Sequence, residues 1–119
     1  CRSTINEINA MTGSDNLEYF VCDLSNFQQV RTLSTAVKKK HSKLHVLVNN
    51  AGALFMRRQY NVDGIEMTWA LNHFGYFWLT GMLLDLLKAS APSRVVIVSS
   101  DAHKRAMLDD MPNFKENLP

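Results

Sequence analysis

Residues 46–52 read VLVNNAG, a short apolar run that passes into two amides and then into two residues with almost no side chain. An apolar run of this length, bounded by glycine, is typical of a fully buried parallel strand, and ligands bind at the carboxyl ends of such strands in open α/β sheets. Asn50 offers hydrogen-bond donors and acceptors, while Ala51 and Gly52 let a flat ring or a sugar approach the main chain. The run predicts a strand that opens on a ligand site, although an Asn-Asn-Gly turn without a ligand has the same local pattern.

The remainder of the chain alternates strand and helix patterns without hairpin signals, which indicates a parallel sheet. We predict helices over residues 5–11, 25–40 and 64–89, and strands over residues 17–22, 45–49 and 94–98. Ser25 with Gln28 forms a capping-box pattern for the second helix, and Asp63 is the expected cap of the third. The third helix includes the very apolar residues 74–87, which are too few to span a bilayer and predict a buried core helix.

Composition excludes several classes of protein. The chain has 119 residues, is 46% hydrophobic and carries a net charge of +2, which fits part of a soluble domain. Basic residues concentrate between Arg31 and Lys43, where the solvated end of a helix explains them better than a nucleic-acid or lipid-surface site. Two cysteines, Cys1 and Cys22, are too few for a disulfide framework and favour a reducing compartment. His41 has only His45 at a metal-like spacing and no evident acidic third ligand, so no metal site is expected.

Several short blocks resemble the short-chain dehydrogenases/reductases, and within them the retinol-dehydrogenase-like group that includes the WW-domain oxidoreductase. Cys1-Arg2 is similar to the end of the second strand in the family's "ACR" block, and NNAG at 49–52 matches in full. The other matches are VCDLS at 21–25 with "DLS", LNHFGYF at 71–77 with "VNHLGHF", and SRVVIVSS at 93–100 with "SRIVNVSS". The resemblance implies an α/β fold: part of a doubly wound, parallel-sheet Rossmann domain, comprising strands three to five and their connecting helices.

Two family blocks have no counterpart in residues 1–119. No glycine-rich turn follows a first strand, and none of the tyrosines (Tyr19, Tyr60, Tyr76) has a lysine four residues later, so the family's Tyr-x-x-x-Lys is missing. We therefore expect residues 1–119 to be the central fragment of a single NAD(P)-binding domain and to be inactive alone. In the doubly wound order strands two and one lie between strands three and four, so the segment would also leave sheet edges unpaired.

The resemblance assigns cofactor roles to residues near the strand ends. Asp23 is expected to bond the adenine edge while Leu24 packs on the ring, although capping the next helix would also suit Asp23. Arg2 would lie beside the ribose, where a guanidinium complements a 2′-phosphate, so NADP is preferred to NAD. Asn50, Ala51 and Gly52 complete the expected cofactor-binding set.

The resemblance also assigns two catalytic roles. Asn72 matches a family asparagine whose main chain bends its helix and holds a water in a proton relay, although a structural buried amide is the alternative. Ser100 matches the catalytic serine, whose hydroxyl would donate to the substrate oxygen as charge develops there. Ser99 is its neighbour, which strand alternation turns the other way.

The implied function is hydride transfer between NADP(H) and a small-molecule carbonyl or alcohol, with an apolar substrate such as a retinoid, steroid or lipid aldehyde. The resemblance further implies membrane association through parts outside this chain, a homodimer, and a location in the cytoplasm or on the cytoplasmic face of the endoplasmic reticulum. The alternative is a non-catalytic truncated form or pseudoenzyme that binds a partner protein. A Tyr-x-x-x-Lys in the parent chain would favour the enzyme.

Overall fold

The computed structural model describes residues 2–105. Four α-helices and two strands make up most of it, in the order α1 (Arg2–Thr12), α2 (Phe27–Lys40), β1 (Val46–Asn49), α3 (Met67–Trp69), a π-helical turn (Ala70–Phe74), α4 (Gly75–Ala89), β2 (Arg94–Ile97) and a 3₁₀ turn (Asp101–Arg105).

The two strands pair in parallel and form the sheet of the described residues. Their register sets Val46 opposite Arg94 and Asn49 opposite Ile97. The ladder continues past β2, because the N–H of Val98 donates to the carbonyl of Asn49 at 2.9 Å. The prediction of parallel strands near residues 45–49 and 94–98, joined by a long helical crossover, is confirmed.

The predicted strand at residues 17–22 is wrong. These residues have no regular secondary structure, and Val21 is 86% exposed. A strand requires a neighbour for its main-chain hydrogen bonds, and β1 and β2 use each other. Residues 17–22 instead lie along α2, where Glu18 forms ion pairs with Lys40 and His41.

The start of the chain also differs from the expectation. Arg2, predicted to end a strand, is the first residue of α1, while Cys1 lies outside the described residues. The helix continues to Thr12, and Gly13 follows it with φ +67°, the left-handed conformation that commonly ends a helix. The helix predicted over residues 5–11 is confirmed and is longer than expected.

Helix α2 is confirmed, but its cap is not Ser25. Asn26 occupies the N-cap position, and its side chain accepts a hydrogen bond from the N–H of Gln29 at 3.0 Å. The Ser25 hydroxyl donates instead to Asp23 Oδ1 at 2.7 Å. Both residue types suit a cap, and the carboxylate two residues before Ser25 recruits its hydroxyl away from the helix.

The predicted helix over residues 64–89 begins later and is interrupted. Gly64 has φ +76° and Asp63 is not the cap; the side chain of Glu66 accepts from the N–H of Trp69. The π-helical turn separates α3 from α4. Because of this turn, the buried residues Ala70 and Gly75 are five positions apart. One extra residue rotates the face by about 100°. The uninterrupted helix predicted over residues 64–89 did not include this change of register.

The core lies where α2 packs on α4 and α4 packs on β1. Its fully buried apolar side chains are Val30, Ala70, Leu83 and Leu87. The main chain of Leu24 lies very close to that of Gly75, because a Cβ on Gly75 would lie 2.6 Å from the carbonyl oxygen of Leu24. Glycine at position 75 therefore lets the turn before α2 lie directly on the start of α4.

Ser90 joins the end of α4 to the start of β1. Its hydroxyl oxygen donates to the carbonyl of Leu86 at 2.7 Å and accepts from the N–H of Leu44 at 2.8 Å. Since Ser90 is 3% exposed, these bonds satisfy a hydroxyl that burial would otherwise leave unpaired.

In residues 2–105, no helix combines the length and apolarity needed to cross a bilayer.

Candidate functional site

The carboxyl end of β1 carries the stretch that the sequence analysis selected. Asn49, the last strand residue, is 3% exposed, and its amide nitrogen donates to the Thr80 hydroxyl at 3.0 Å. The next three residues, Asn50, Ala51 and Gly52, are exposed. The strand is thus anchored to α4 at its last residue, and the small residues after it present their main chain to solvent.

Asn72 holds the far end of this stretch. Its Oδ1 accepts from the N–H of Ala53 at 3.0 Å, and its Nδ2 donates to the carbonyl of Ala53 at 2.8 Å. A Cβ on Gly52 would lie 3.3 Å from Asn72 Oδ1, so glycine makes room for this amide. Asn72 lies inside the π-helical turn, where the helix departs from α geometry.

Tyr76 supplies a second hold on the same stretch. Its hydroxyl donates a hydrogen bond to the carbonyl oxygen of Ala51. Tyr76 lies in the first turn of α4, four residues after Asn72. The helix therefore fixes the main chain on both sides of Gly52.

Asp23 and Leu24 belong to a turn that precedes α2. Asp23 Oδ1 accepts from the N–H and the hydroxyl of Ser25 at 2.9 and 2.7 Å, while no hydrogen bond within residues 2–105 uses its Oδ2. Leu24 is half-buried, and its carbonyl contacts the face of Gly75. One carboxylate oxygen thus shapes the turn, and the other is available to a ligand.

The loop before α3 secures this turn from the other side. Asn61 Nδ2 donates to the carbonyl of Ser25 at 2.6 Å, and its Oδ1 accepts from the N–H groups of Asp63 and Ile65 at 3.0 and 2.8 Å. Asn61 was not among the residues predicted to form the site. An asparagine that bonds backbone two and four residues ahead is typical of a tight loop.

Ser99 and Ser100 follow β2, on the strand neighbouring β1. Both are exposed and lie beyond the end of β2 at Ile97. The Ser100 hydroxyl oxygen accepts from the N–H of Ala102 at 3.2 Å, at the entry to the 3₁₀ turn. Since the two strands are parallel and in register, the chain after Ile97 leaves the same sheet edge as the chain after Asn49.

Arg2 is the selected residue that the structure does not bring to this edge by any described contact. It is exposed at the N-terminus of α1. Its cationic side chain lies where the helix dipole favours an anion.

A cleft of about 380 Å³ lies beside Asn72. Its lining residues are Asn72, His73, Tyr76, Phe77, Thr80, Gly81 and Ile97. Sequence reasoning missed Tyr76 and Thr80 as members of the site. Their spacing of four from Asn72 and Tyr76, respectively, was a usable signal, because residues four apart share a helix face.

Two ionisable groups near the site have shifted pKa values. Burial, assisted by the charge of Asp23, raises the pKa of the Cys22 thiol, which disfavours a reactive thiolate there. Burial acts against ionisation of Glu66, but hydrogen bonds from Thr68 and Trp69 outweigh it and lower its pKa. Within residues 2–105, no group of three His, Cys, Asp or Glu side chains is placed to hold a metal ion.

Comparison with known families gives a match over nearly the whole chain. The family model for short chain dehydrogenases matches residues 1–109. Retinol dehydrogenase 11 of Homo sapiens is 42% identical over 97 residues, which cover 82% of this chain and 30% of that protein. Polyprenol dehydrogenase of Homo sapiens is 38% identical over 112 residues, which cover 91% and 34%. The chain thus spans about a third of the length of these relatives.

Solved structures show the same fold. The NADP active-site complex of Pseudomonas aeruginosa RhlG superposes with a TM-score of 0.71 at 29% identity, over 90% of this chain and 44% of that one. An alcohol dehydrogenase from the archaeon Thermococcus sibiricus, complexed with 5-hydroxy-NADP, superposes with a TM-score of 0.70 over 89% and 45%. At 21% identity, the second likeness concerns the fold alone.

Proposed function

Because the chain belongs to the short-chain dehydrogenase family, we propose that the intact protein transfers hydride between NADP(H) and a carbonyl or alcohol substrate. The observation that carries this proposal is the stretch from Asn50 to Gly52, which is exposed at a strand end. Asn72 fixes the main chain that follows it through two hydrogen bonds with Ala53. Small residues with a fixed main chain suit a ligand that lies flat against the backbone. We further propose that residues 1–119 form the central part of one Rossmann domain.

The residues at this edge fit a nicotinamide dinucleotide. Gly52 has no side chain to obstruct a ring or a sugar, and Asp23 retains a carboxylate oxygen that can accept from an exocyclic amine. Leu24 offers an apolar surface beside that carboxylate. When bound, the cofactor would supply the hydride, and these side chains would only bind and orient it.

Ser100 would donate a hydrogen bond to the substrate oxygen as negative charge develops there during reduction. Its placement after β2 favours this role, because β2 is the strand beside β1 and runs in the same direction. Asn72 would keep the main chain after β1 in place and, through the π-helical turn, would leave a bend at which a water can be held. The acid/base of the reaction would come from a Tyr-x-x-x-Lys, which residues 1–119 lack.

We base the preference for NADP over NAD on Arg2, as the resemblance implies, although no described contact brings this side chain to the strand ends. A guanidinium at the positive end of a helix has no favourable partner in the helix itself, so a phosphate beside it would be stabilised by the guanidinium and by the helix dipole.

We propose an apolar substrate of the retinoid, steroid or lipid-aldehyde kind, which agrees with relatives named retinol and polyprenol dehydrogenases. Membrane association, a homodimer and the endoplasmic-reticulum location stay predictions from the resemblance.

The direct test is isotope transfer by the full-length protein. NADPH deuterated at nicotinamide C4 is incubated with the protein and all-trans-retinal, and the alcohol product is analysed by mass spectrometry. Deuterium at the new carbinol carbon supports the proposal. Absence of transfer to retinal and to a panel of steroid and aliphatic carbonyls, from a protein that binds NADPH, would contradict it and favour a non-catalytic role. The polypeptide of residues 1–119 should show no transfer.

A further inference from the structure

We infer that Tyr76 is a positioning residue that sets the peptide planes around Gly52 for the cofactor, an inference that rests on the proposed function. The resembling family block has histidine at the position of Tyr76. The resemblance therefore assigns no role to this tyrosine.

Two hydrogen bonds fix the two peptide planes that Gly52 joins. The Tyr76 hydroxyl donates to the carbonyl of Ala51, which belongs to the plane before Gly52. Asn72 Oδ1 accepts from the N–H of Ala53 at 3.0 Å, which belongs to the plane after it. Neither plane can rotate without breaking a bond to the helix.

The groups of Gly52 itself follow from trans geometry. In a trans peptide the C=O of one residue and the N–H of the next point in opposite directions, and both of these peptides are trans. With the Ala51 carbonyl directed at Tyr76, the N–H of Gly52 is directed away from α4. With the Ala53 N–H directed at Asn72, the carbonyl of Gly52 is directed away as well.

Gly52 thus presents one donor and one acceptor outward. Among residues 2–105, no hydrogen bond engages its N–H or its carbonyl, and the residue is exposed. An adjacent donor and acceptor on a surface without a side chain match a hydroxyl of a sugar, which both donates and accepts. The ligand chemistry is therefore a ribose hydroxyl of the dinucleotide, and Tyr76 fixes the orientation that it meets.

The test compares Tyr76→Phe with Tyr60→Phe in the full-length protein. Tyr60 is 58% exposed and outside the site, so it controls for loss of a phenol hydroxyl. We expect Tyr76→Phe to weaken NADPH binding by about three- to tenfold, as loss of one hydrogen bond implies. The KM for the carbonyl substrate should change by less than about twofold, a split that a general packing defect would not give.

A second measurement does not depend on turnover. Hydrogen exchange followed by mass spectrometry should show faster exchange in residues 50–54 of cofactor-free Tyr76→Phe than of wild type. If Tyr76→Phe folds poorly, Tyr76→His replaces it, because an imidazole is too short to reach the Ala51 carbonyl. Unchanged NADPH affinity in a folded Tyr76 variant overturns this inference alone. Wild-type protein that binds neither NADPH nor NADH overturns the proposed function and this inference together.

Discussion

The amide side chain of Asn72 forms a reciprocal pair of hydrogen bonds with the main chain of Ala53, accepting at 3.0 Å and donating at 2.8 Å. The Asn72 amide bonds both main-chain groups of Ala53, which in a sheet would bond a neighbouring strand. The chain after β1 is thereby attached to a helix rather than to the sheet, which leaves its other side open.

Asn72→Ala tests the structural weight of this pair. Two net hydrogen bonds are lost, but water can reach the exposed main chain of Ala53, so the free energy of unfolding should fall by about 1–2 kcal/mol. Urea denaturation of the full-length protein measures the change. Asn16→Ala, in an exposed segment without regular secondary structure, is the control and should stay within about 0.5 kcal/mol. Equal stability of Asn72→Ala and wild type would show that the pair contributes nothing.

Gly75→Ala should be strongly destabilising. The new methyl would lie 2.6 Å from the Leu24 carbonyl oxygen, which is backbone and cannot rotate away. The resulting shift of the turn against α4 should lower the unfolding free energy by about 1–3 kcal/mol. Because Leu24 and Asp23 are in this turn, NADPH affinity should fall too.

Gly81→Ala is the matched control for that substitution. It is also a helical glycine of α4, but a Cβ there meets no atom within 4 Å. Alanine should stabilise the helix by about 0.5–1 kcal/mol because glycine loses more backbone entropy on folding. Thermal unfolding of both variants gives the comparison, and similar losses in the two would mean that the contact with Leu24 is not the cause.

Substitution of the two serines after β2 tests the catalytic assignment. In the full-length protein, Ser100→Ala should lower kcat by about 10²-fold or more with little change in cofactor affinity, because the lost donor acts on charge that forms during reaction. Ser99→Ala should stay near wild type. The reverse result would move the catalytic role to Ser99.

The sequence was sufficient for the parts of the fold that local pattern determines. Strands β1 and β2 and helix α2 lie where periodicity predicted them, and residues 50–52 are exposed at a strand end as expected. Tertiary choices account for the errors. Residues 17–22 have strand composition but no strand partner among the described residues, and the cap of α2 moved by one residue because the Ser25 hydroxyl bonds Asp23.

The resemblance implied a bend of the helix at Asn72, but the apolar pattern did not show that this bend is a π-helical turn. An apolar pattern fits either a continuous helix or one with an inserted residue, and the two differ in which residue of α4 faces Leu24, here Gly75. The spacing of four between Asn72 and Tyr76 indicates a shared helix face, but the main-chain group that the Tyr76 hydroxyl bonds depends on the helix register and required the structure.

Stability should depend on pH through Glu18. The hydrogen bond from Lys40, with a further contribution from His41, lowers the pKa of this carboxyl below its ordinary value of 4.5. A depressed folded-state pKa means that the contribution is present above the ordinary value and is lost as pH falls through the folded one. Carbon-detected NMR titration should give a Glu18 pKa below 4.5, which Lys40→Ala raises and Lys39→Ala does not. An ordinary pKa in wild type would show that the ion pair does not persist in solution.

Arg2→Ala decides the choice of cofactor. A 2′-phosphate carries close to two negative charges, and a guanidinium beside it at the start of α1 should favour NADPH by roughly 1.5–3 kcal/mol. In the full-length protein, Arg2→Ala should therefore weaken NADPH binding by about tenfold or more and leave NADH nearly unaffected, since NADH has only a hydroxyl at that position. Quenching of intrinsic tryptophan fluorescence measures both affinities. Arg31→Ala, which removes an exposed cation from α2, is the control for a general charge effect. If NADPH and NADH affinities fall equally, or if neither falls, Arg2 is not the phosphate ligand and the preference for NADP loses its main support.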